Sequence, residues 1–133
     1  MNIKDLSIVT RYDDTINQAS AIEMLFDLRK KQPKGKIYTI VDNASYYQNY
    51  EFQVYAKKLA ITPVYLPAYS PNLNLIERVW LFLQKKQIYN KYYSTFIEFE
   101  KNIKNFFRNF GKHKNELSSL LTEKFNIVSL KTP

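Results

Sequence analysis

The 133-residue chain contains no cysteine and a single histidine, His113. The first absence excludes disulfides, thiol catalysis and cysteine-based zinc sites, and one histidine cannot by itself build a histidine metal site. A Ser-His-Asp triad would have to use His113, and the sequence has no nucleophile-elbow motif to pair with it. The chemistry that these absences leave open is that of carboxylates.

Other features that are scarce or absent in the sequence limit the classes of protein to which the chain can belong. The sequence has no apolar run of membrane-spanning length and no signal-peptide-like segment at its N-terminus, which predicts a soluble, cytoplasmic protein without a membrane partner. Only two glycines, with 45% hydrophobic and 16% aromatic residues, argue against disorder. Because the length suits one small domain and there is no repeat or linker, we predict a single domain over residues 1–133.

Acidic residues are scarce in the second half of the chain. Residues 1–77 carry nine Lys/Arg against eight Asp/Glu, a balance of +1, whereas residues 78–133 carry eleven against four, a balance of +7. A basic half is typical of proteins that bind nucleic acid. The alternative is a lysine-rich surface that serves only solubility.

Hydrophobic periodicity predicts an α/β chain. A helix is predicted from about Asp13 to Lys31, then a strand over residues 36–42, a helix over 49–60 and a strand over 62–66. A strand, a crossover of about a dozen residues and a second strand form a parallel βαβ unit. Further helices are predicted over 73–88, 95–110 and 113–123. The phenylalanines of 96–110 and Trp80 are predicted to lie in the core, and His113 at the surface.

The first carboxylate of interest ends a strand. The apolar segment Ile37–Val41 runs directly into Asp42 and Asn43. Open α/β sheets bind ligands at the carboxyl ends of their strands, so a carboxylate here can reach a metal ion outside the sheet. The alternative is that Asp42 only caps a turn, a role that Asp and Asn favour.

The second carboxylate, Glu77, is separated from Asp42 by 34 residues and ends the run Tyr65-Leu-Pro-Ala-Tyr-Ser-Pro-Asn-Leu-Asn-Leu-Ile-Glu77. It falls in the first turn of the helix predicted over 73–88. Carboxylates that converge from the ends of different elements hold divalent metal for phosphoryl transfer. The alternative is that Glu77 forms a capping box with Asn74.

These motifs resemble the catalytic core of the mariner superfamily of DDE transposases, in particular its bacterial insertion-sequence branch. The family has an Asp-Asn at a strand end, then a Leu-Pro-x-Tyr-Ser-Pro-x-Leu-Asn-Pro-Ile-Glu run with a Trp shortly after. Here they read Asp42-Asn43, then Leu66 to Glu77, then Trp80. The resemblance covers roughly residues 12–110.

The chain departs from the family pattern in places that leave both carboxylates intact. Ala68 and Leu75 stand where the family often has Pro, and Tyr47 stands where many members have His. The family also has a first Asp on an early strand, whereas only 41 residues precede Asp42 and the segment before it resembles the helix that normally precedes the family's second Asp. We therefore expect an N-terminally truncated catalytic domain that lacks the first Asp and is nearly inactive alone. An active chain would have to complete its site with an acidic residue near the N-terminus: Asp5, Asp13 or Asp14.

The resemblance implies a ribonuclease H-like α/β fold, here partial, and an enzyme fragment for DNA strand cleavage and transfer during insertion-sequence transposition. It implies that Asp42 and Glu77 are catalytic and hold Mg²⁺ or Mn²⁺. The implied partner is DNA, both transposon ends and target. The residues predicted to contact DNA are Asn43, Tyr69, Arg78, Lys85 and Lys86. For Tyr69 the alternative is a rigid approach to the Glu77 helix, and for the three cations it is a solvated face.

The expected absence of the family's first strand leads to a further expectation about the partners of the chain. Residues 37–41 would present an unpaired hydrophobic edge, and such edges pair with other chains. We therefore expect either a homodimer or an upstream transposase polypeptide as a partner. The alternative function is a non-catalytic DNA-binding or transposase-inhibiting module.

Overall fold

The computed structural model describes residues 1–68, 70 and 73–121. They form two compact units, which are considered separately. Residues 8–74 make up the first, called the sheet unit, and residues 1–7 with the chain from 75 onward make up the second, called the helical unit. The organisation as a single domain stays a prediction.

The sheet unit contains the parallel βαβ arrangement that the sequence predicts. Strand β1 pairs in parallel with β2, in a register that runs from Ile37 beside Ile61 to Val41 beside Tyr65. Both strands lie within one residue of their predicted bounds. The elements, in order, are α1 (Gln18–Lys31), β1 (Ile37–Val41), α2 (Ser45–Gln48), α3 (Tyr50–Lys58) and β2 (Ile61–Tyr65).

The core of the sheet unit lies between one face of the sheet and the helices α1 and α3. Phe52 of α3 is its largest fully buried side chain, at 1% exposure. The buried residues that pack together are Ala21, Leu25, Phe52, Ala56 and Ile61. Alternation along a strand sends every second side chain to the opposite face. That face therefore carries exposed apolar side chains: Tyr38, Ile40 and Val64.

Strand β1 also keeps one edge free of any strand neighbour within the part of the chain that the structure describes, where the sheet has two strands. This agrees with the edge predicted from the sequence. Unpaired backbone groups on such an edge are a template for pairing with another chain.

Helix α1 begins later than the acidic cluster at 13–14 predicts. Asn17 is its N-cap, because the Asn17 side chain accepts the Ser20 amide at 3.1 Å while the Ser20 hydroxyl accepts the Asn17 amide at 2.8 Å. These two bonds form a capping box, which satisfies amides that have no partner inside the helix. The helix buries Ala21 and Leu25, while Ile16, before the N-cap, and Phe26 are exposed.

Arg29 ties the end of α1 to the start of both strands. Its guanidinium donates to the backbone carbonyls of Leu59 at 2.8 Å and Ala60 at 3.1 Å, just before β2. It also donates to the carbonyls of Gln32 at 3.0 Å and Gly35 at 2.9 Å, before β1. A planar group with five fixed donors suits this role better than lysine does.

Within its described residues, the helical unit packs three helices and two turns. Its elements are α4 (Leu75–Leu83), a π-helical turn (Gln84–Ile88), α5 (Phe96–Arg108), a 3₁₀ turn (Phe110–His113) and α6 (Lys114–Leu120). Its buried residues are Leu75, Val79, Phe82, Leu83, Phe106, Phe110 and Leu117. No helix in the described ranges is long and apolar enough to cross a membrane.

The predicted start of α5 is confirmed in detail. The Thr95 hydroxyl accepts the Glu98 amide at 3.2 Å, which makes Thr95 the N-cap. The Glu98 carboxylate reaches back one residue further than a capping box requires and accepts the amide and hydroxyl of Ser94 at 3.0 and 2.9 Å.

Two predictions about aromatic side chains of the helical unit are wrong, and the prediction for His113 is correct only in part. Trp80 is 47% exposed and touches Phe107 edge-on, so it is not a core residue. Phe96, at the first turn of α5, is 75% exposed. The His113 side chain is only partly exposed, at 24%, because the 3₁₀ turn stacks its ring on Phe106 with 5.2 Å between centroids.

Candidate functional site

Asp42 lies directly after the carboxyl end of β1 and is exposed. Its Oδ1 accepts the amide of Ala44 at 3.0 Å, which makes Asp42 the cap of the turn that leads into α2. The turn-capping alternative is therefore correct for one oxygen. Since a carboxylate has about four acceptor positions, the group can cap this turn and still bind a cation from solvent.

Asn43 joins the ends of the two strands. Its side-chain amide donates to the carbonyl of Leu66 at 2.8 Å, next to the backbone bond from the Leu66 amide to the Val41 carbonyl at 2.9 Å. The structure thus gives Asn43 a role in holding Asp42 in place. The predicted contact of Asn43 with DNA stays a prediction.

Tyr47, where relatives with the motif have His, lies near Asp42. Burial, and to a smaller extent the neighbouring Tyr46 and the Asp42 carboxylate, together raise the pKa of Tyr47 to about 12. Its backbone carbonyl accepts the Tyr65 hydroxyl at 2.5 Å, which ties the segment after Asp42 to β2. At neutral pH the Tyr47 phenol is protonated, so it can donate a hydrogen bond but cannot act as a base.

Glu77 lies in the first turn of α4, in the helical unit, and is exposed. A negative charge is favourable at this end of a helix because the unpaired amides of the first turn point towards it.

Two of the three predicted DNA-binding cations are engaged inside the helical unit. Arg78 donates to the backbone carbonyl of Leu120 at 3.0 Å. Lys86 pairs with Glu116 at 2.6 Å, which lowers the pKa of that carboxylate. Lys85 is exposed, and the π-helical turn changes its angular position relative to Arg78 from that of an unbroken α-helix.

The exposed carboxylates of Asp42 and Glu77 are each the type of ligand that suits a hard divalent cation. Across residues 1–68, 70 and 73–121, no three His, Asp or Glu side chains lie together in a way that would hold a metal ion. Of the N-terminal candidates, Asp13 is bound by Arg11 at 3.0 Å and Asp5 accepts the Ser7 amide at 2.8 Å. The predicted DNA contact Tyr69 lies outside the described residues.

The sequence model of a family described as DDE superfamily endonuclease matches residues 1–100. The chain belongs to this family. The match contains both Asp42 and Glu77, and it includes the first 11 residues, which lie outside the resemblance that the motifs alone indicate. Neither the curated proteins nor the solved structures give a significant match.

DDE superfamily endonucleases act on DNA, and they generally use divalent metal ions. The mixed α/β architecture, with its small parallel sheet, is compatible with part of a ribonuclease H-like fold. The family match therefore confirms the DDE endonuclease resemblance, and the roles of the individual residues stay predictions.

One exposed feature of the helical unit lies outside the predicted site residues. Tyr89, Lys91 and Tyr92 follow the π-helical turn, and both tyrosine rings are largely exposed. The sequence signal for it is the presence of three lysines and three tyrosines within residues 85–93, without any acidic residue.

Proposed function

We propose that this chain is part of a transposase of the mariner superfamily's insertion-sequence branch, and that it serves DNA strand cleavage and transfer. The observation that carries the proposal is the family match over residues 1–100. Support comes from the two motif carboxylates, since Asp42 is exposed at a strand end and Glu77 is exposed in the first turn of a helix. We assign both to binding Mg²⁺ or Mn²⁺.

The carboxylate oxygens of Asp42 and Glu77 are the ligand type that these cations prefer. Bound divalent ions polarise the phosphate and activate the attacking hydroxyl in this class of reaction. Two carboxylates without a third hold metal weakly, so slow cleavage is expected of the chain alone. Asn43 and Ala44 keep the Asp42 carboxylate at the end of β1 through the bonds described above.

The test is the nicking of supercoiled plasmid DNA, in which a single cut is visible. We expect slow nicking that requires Mn²⁺ and stops when EDTA is added. A second readout is Mn²⁺ binding, followed by electron paramagnetic resonance, which should weaken in both Asp42→Asn and Glu77→Gln. Absence of nicking, together with unchanged Mn²⁺ binding in both variants, would refute the assignment.

A second candidate function is a non-catalytic DNA-binding module. The observation that favours it is the excess of lysine and arginine from residue 78 onward, combined with the absence of a three-carboxylate group in the described ranges. Such a module would bind DNA in a salt-sensitive manner, and its binding would survive Asp42→Ala and Glu77→Ala unchanged. It would show no metal-dependent nicking.

We also propose that a second copy of the chain pairs with the free edge of β1. Next to that edge Tyr38 is 66% and Ile40 is 52% exposed, a surface that pairing would cover. Light scattering should then give twice the chain mass of 15.9 kDa, and Ile40→Lys should shift the protein to monomer. Ile16→Lys is the matched control, since Ile16 is 65% exposed outside the sheet. A monomeric parent protein would rule the pairing out.

A further inference from the structure

The segment Tyr89–Tyr93 of the helical unit, called here the basic aromatic turn, has a fixed backbone. The Tyr89 amide donates to the Gln84 carbonyl at 2.8 Å, and the Lys91 amide donates to the Ile88 carbonyl at 3.2 Å. Asn90 adopts a left-handed conformation with φ of 59°, which Asn tolerates better than most residues. The turn is therefore a hydrogen-bonded structural element of its own and not an extension of the neighbouring helices.

Tyr93 anchors the turn from its inner side. Its ring packs edge-on against Phe99 of α5 with 5.5 Å between centroids, and its hydroxyl donates to the carbonyl of Gln87. With Tyr93 held inward, the two other tyrosines of the turn project outward. Tyr92 is 89% exposed and Tyr89 is 57% exposed.

The charges within this stretch of sequence have one sign, although the Glu98 carboxylate of α5 lies beside it and accepts the amide and hydroxyl of Ser94 at 3.0 and 2.9 Å. Lys85 and Lys91 lie within seven residues of Tyr92, and residues 84–95 contain no Asp or Glu. The Lys91 ammonium donates to the neutral side-chain carbonyl of Gln87 at 3.2 Å, so its charge is available to an anion. The turn also follows a π-helix, a rare element that occurs frequently at functional sites.

We propose that the basic aromatic turn binds unpaired DNA, with Tyr92 stacked on a base and Lys85 and Lys91 against phosphates. Exposed aromatic rings next to cations are the two components of single-strand recognition. Unpaired DNA fits better than duplex, since a duplex hides the faces of its bases from a side chain. This proposal rests on the proposed function in one respect only, since it takes DNA as the polymer that the chain binds.

Binding of a fluorescently labelled oligothymidylate, measured by anisotropy at low salt in EDTA, tests the proposal. Stacking is worth about 1–3 kcal/mol per base, so Tyr92→Ala should weaken binding by roughly tenfold or more. Tyr92→Phe keeps the ring and should bind within about twofold of the parent, by the same stacking argument. Tyr50→Ala is the matched control, because Tyr50 is 81% exposed at the start of α3 and should leave the affinity unchanged.

The salt dependence separates the lysine contribution. Lys91→Gln should reduce the slope of log affinity against log salt by about 0.7, the value for one phosphate contact on single strands.

Unchanged oligonucleotide affinity in Tyr92→Ala would overturn the proposal, as would an equal loss for single strands and duplex. Conversion of a dimer to a monomer by Tyr92→Ala, without a loss of DNA affinity, would instead identify a protein interface. Because EDTA is present, the result does not depend on metal binding by Asp42 or Glu77.

Discussion

Asp42→Asn is expected to lower the rate of Mn²⁺-dependent plasmid nicking by about 100-fold or more, equivalent to roughly 3 kcal/mol of transition-state stabilisation. The substitution removes the negative charge of the side chain and keeps its size and shape. Asparagine keeps an Oδ1 that can accept the Ala44 amide, now bonded at 3.0 Å, so the turn after β1 is preserved. It loses the negative charge that would hold a divalent cation. The appearance of nicked plasmid with time, together with circular dichroism to verify folding, measures the effect.

The matched control for this variant is Glu51→Gln. Glu51 is an exposed carboxylate of the same unit that accepts a hydrogen bond from Gln18, and its neutralisation changes the net charge by the same amount. It should nick DNA at the parent rate, whereas Glu77→Gln should lose activity as Asp42→Asn does. Nicking at the parent rate by Asp42→Asn would remove this residue from the catalytic group.

The strands and the position of Asp42 are predictable from the sequence because local and tertiary preferences agree there. Ile37–Val41 is rich in β-branched residues, and a polar pair follows it, so both strand propensity and turn chemistry place the strand end at Asp42. The crossover length then fixes parallel pairing with Ile61–Tyr65. The family motif around Glu77 adds the second carboxylate, which no local pattern distinguishes from a helix cap.

The errors occur where burial depends on which partners a helix meets. Periodicity along α4 is satisfied by more than one stripe, and the structure selects Leu75, Val79, Phe82 and Leu83, which leaves Trp80 with Phe107 as an edge contact. His113 is drawn inward by a 3₁₀ turn that places its ring beside Phe82 and Phe106. Helical periodicity cannot anticipate a 3₁₀ or a π-helical turn, because each changes the angle per residue.

Phe52→Ala is expected to lower the free energy of unfolding of the sheet unit by about 3–5 kcal/mol, the range for removing a buried phenylalanine. Phe52 is 1% exposed, and it touches Tyr47 edge-on with 5.3 Å between ring centroids. Its removal leaves a cavity between α3 and the segment that follows Asp42. Since natural domains are stable by only about 5–15 kcal/mol, the variant should be close to unfolding at 25 °C. Urea denaturation followed by circular dichroism measures the change.

Phe26→Ala removes the same number of atoms from the same unit and is the control for size. Phe26 is 46% exposed and meets only the edge of Tyr55 at 5.7 Å among its ring contacts in the described residues, so its loss should cost about 1 kcal/mol or less. A Phe52→Ala cost as small as that of Phe26→Ala would mean that α3 does not pack on the sheet as described. It would also mean that Phe52 does not hold Tyr47, and with it the segment that positions Asp42, against the core. A large difference between the two variants therefore supports both the core and the placement of the candidate site on it.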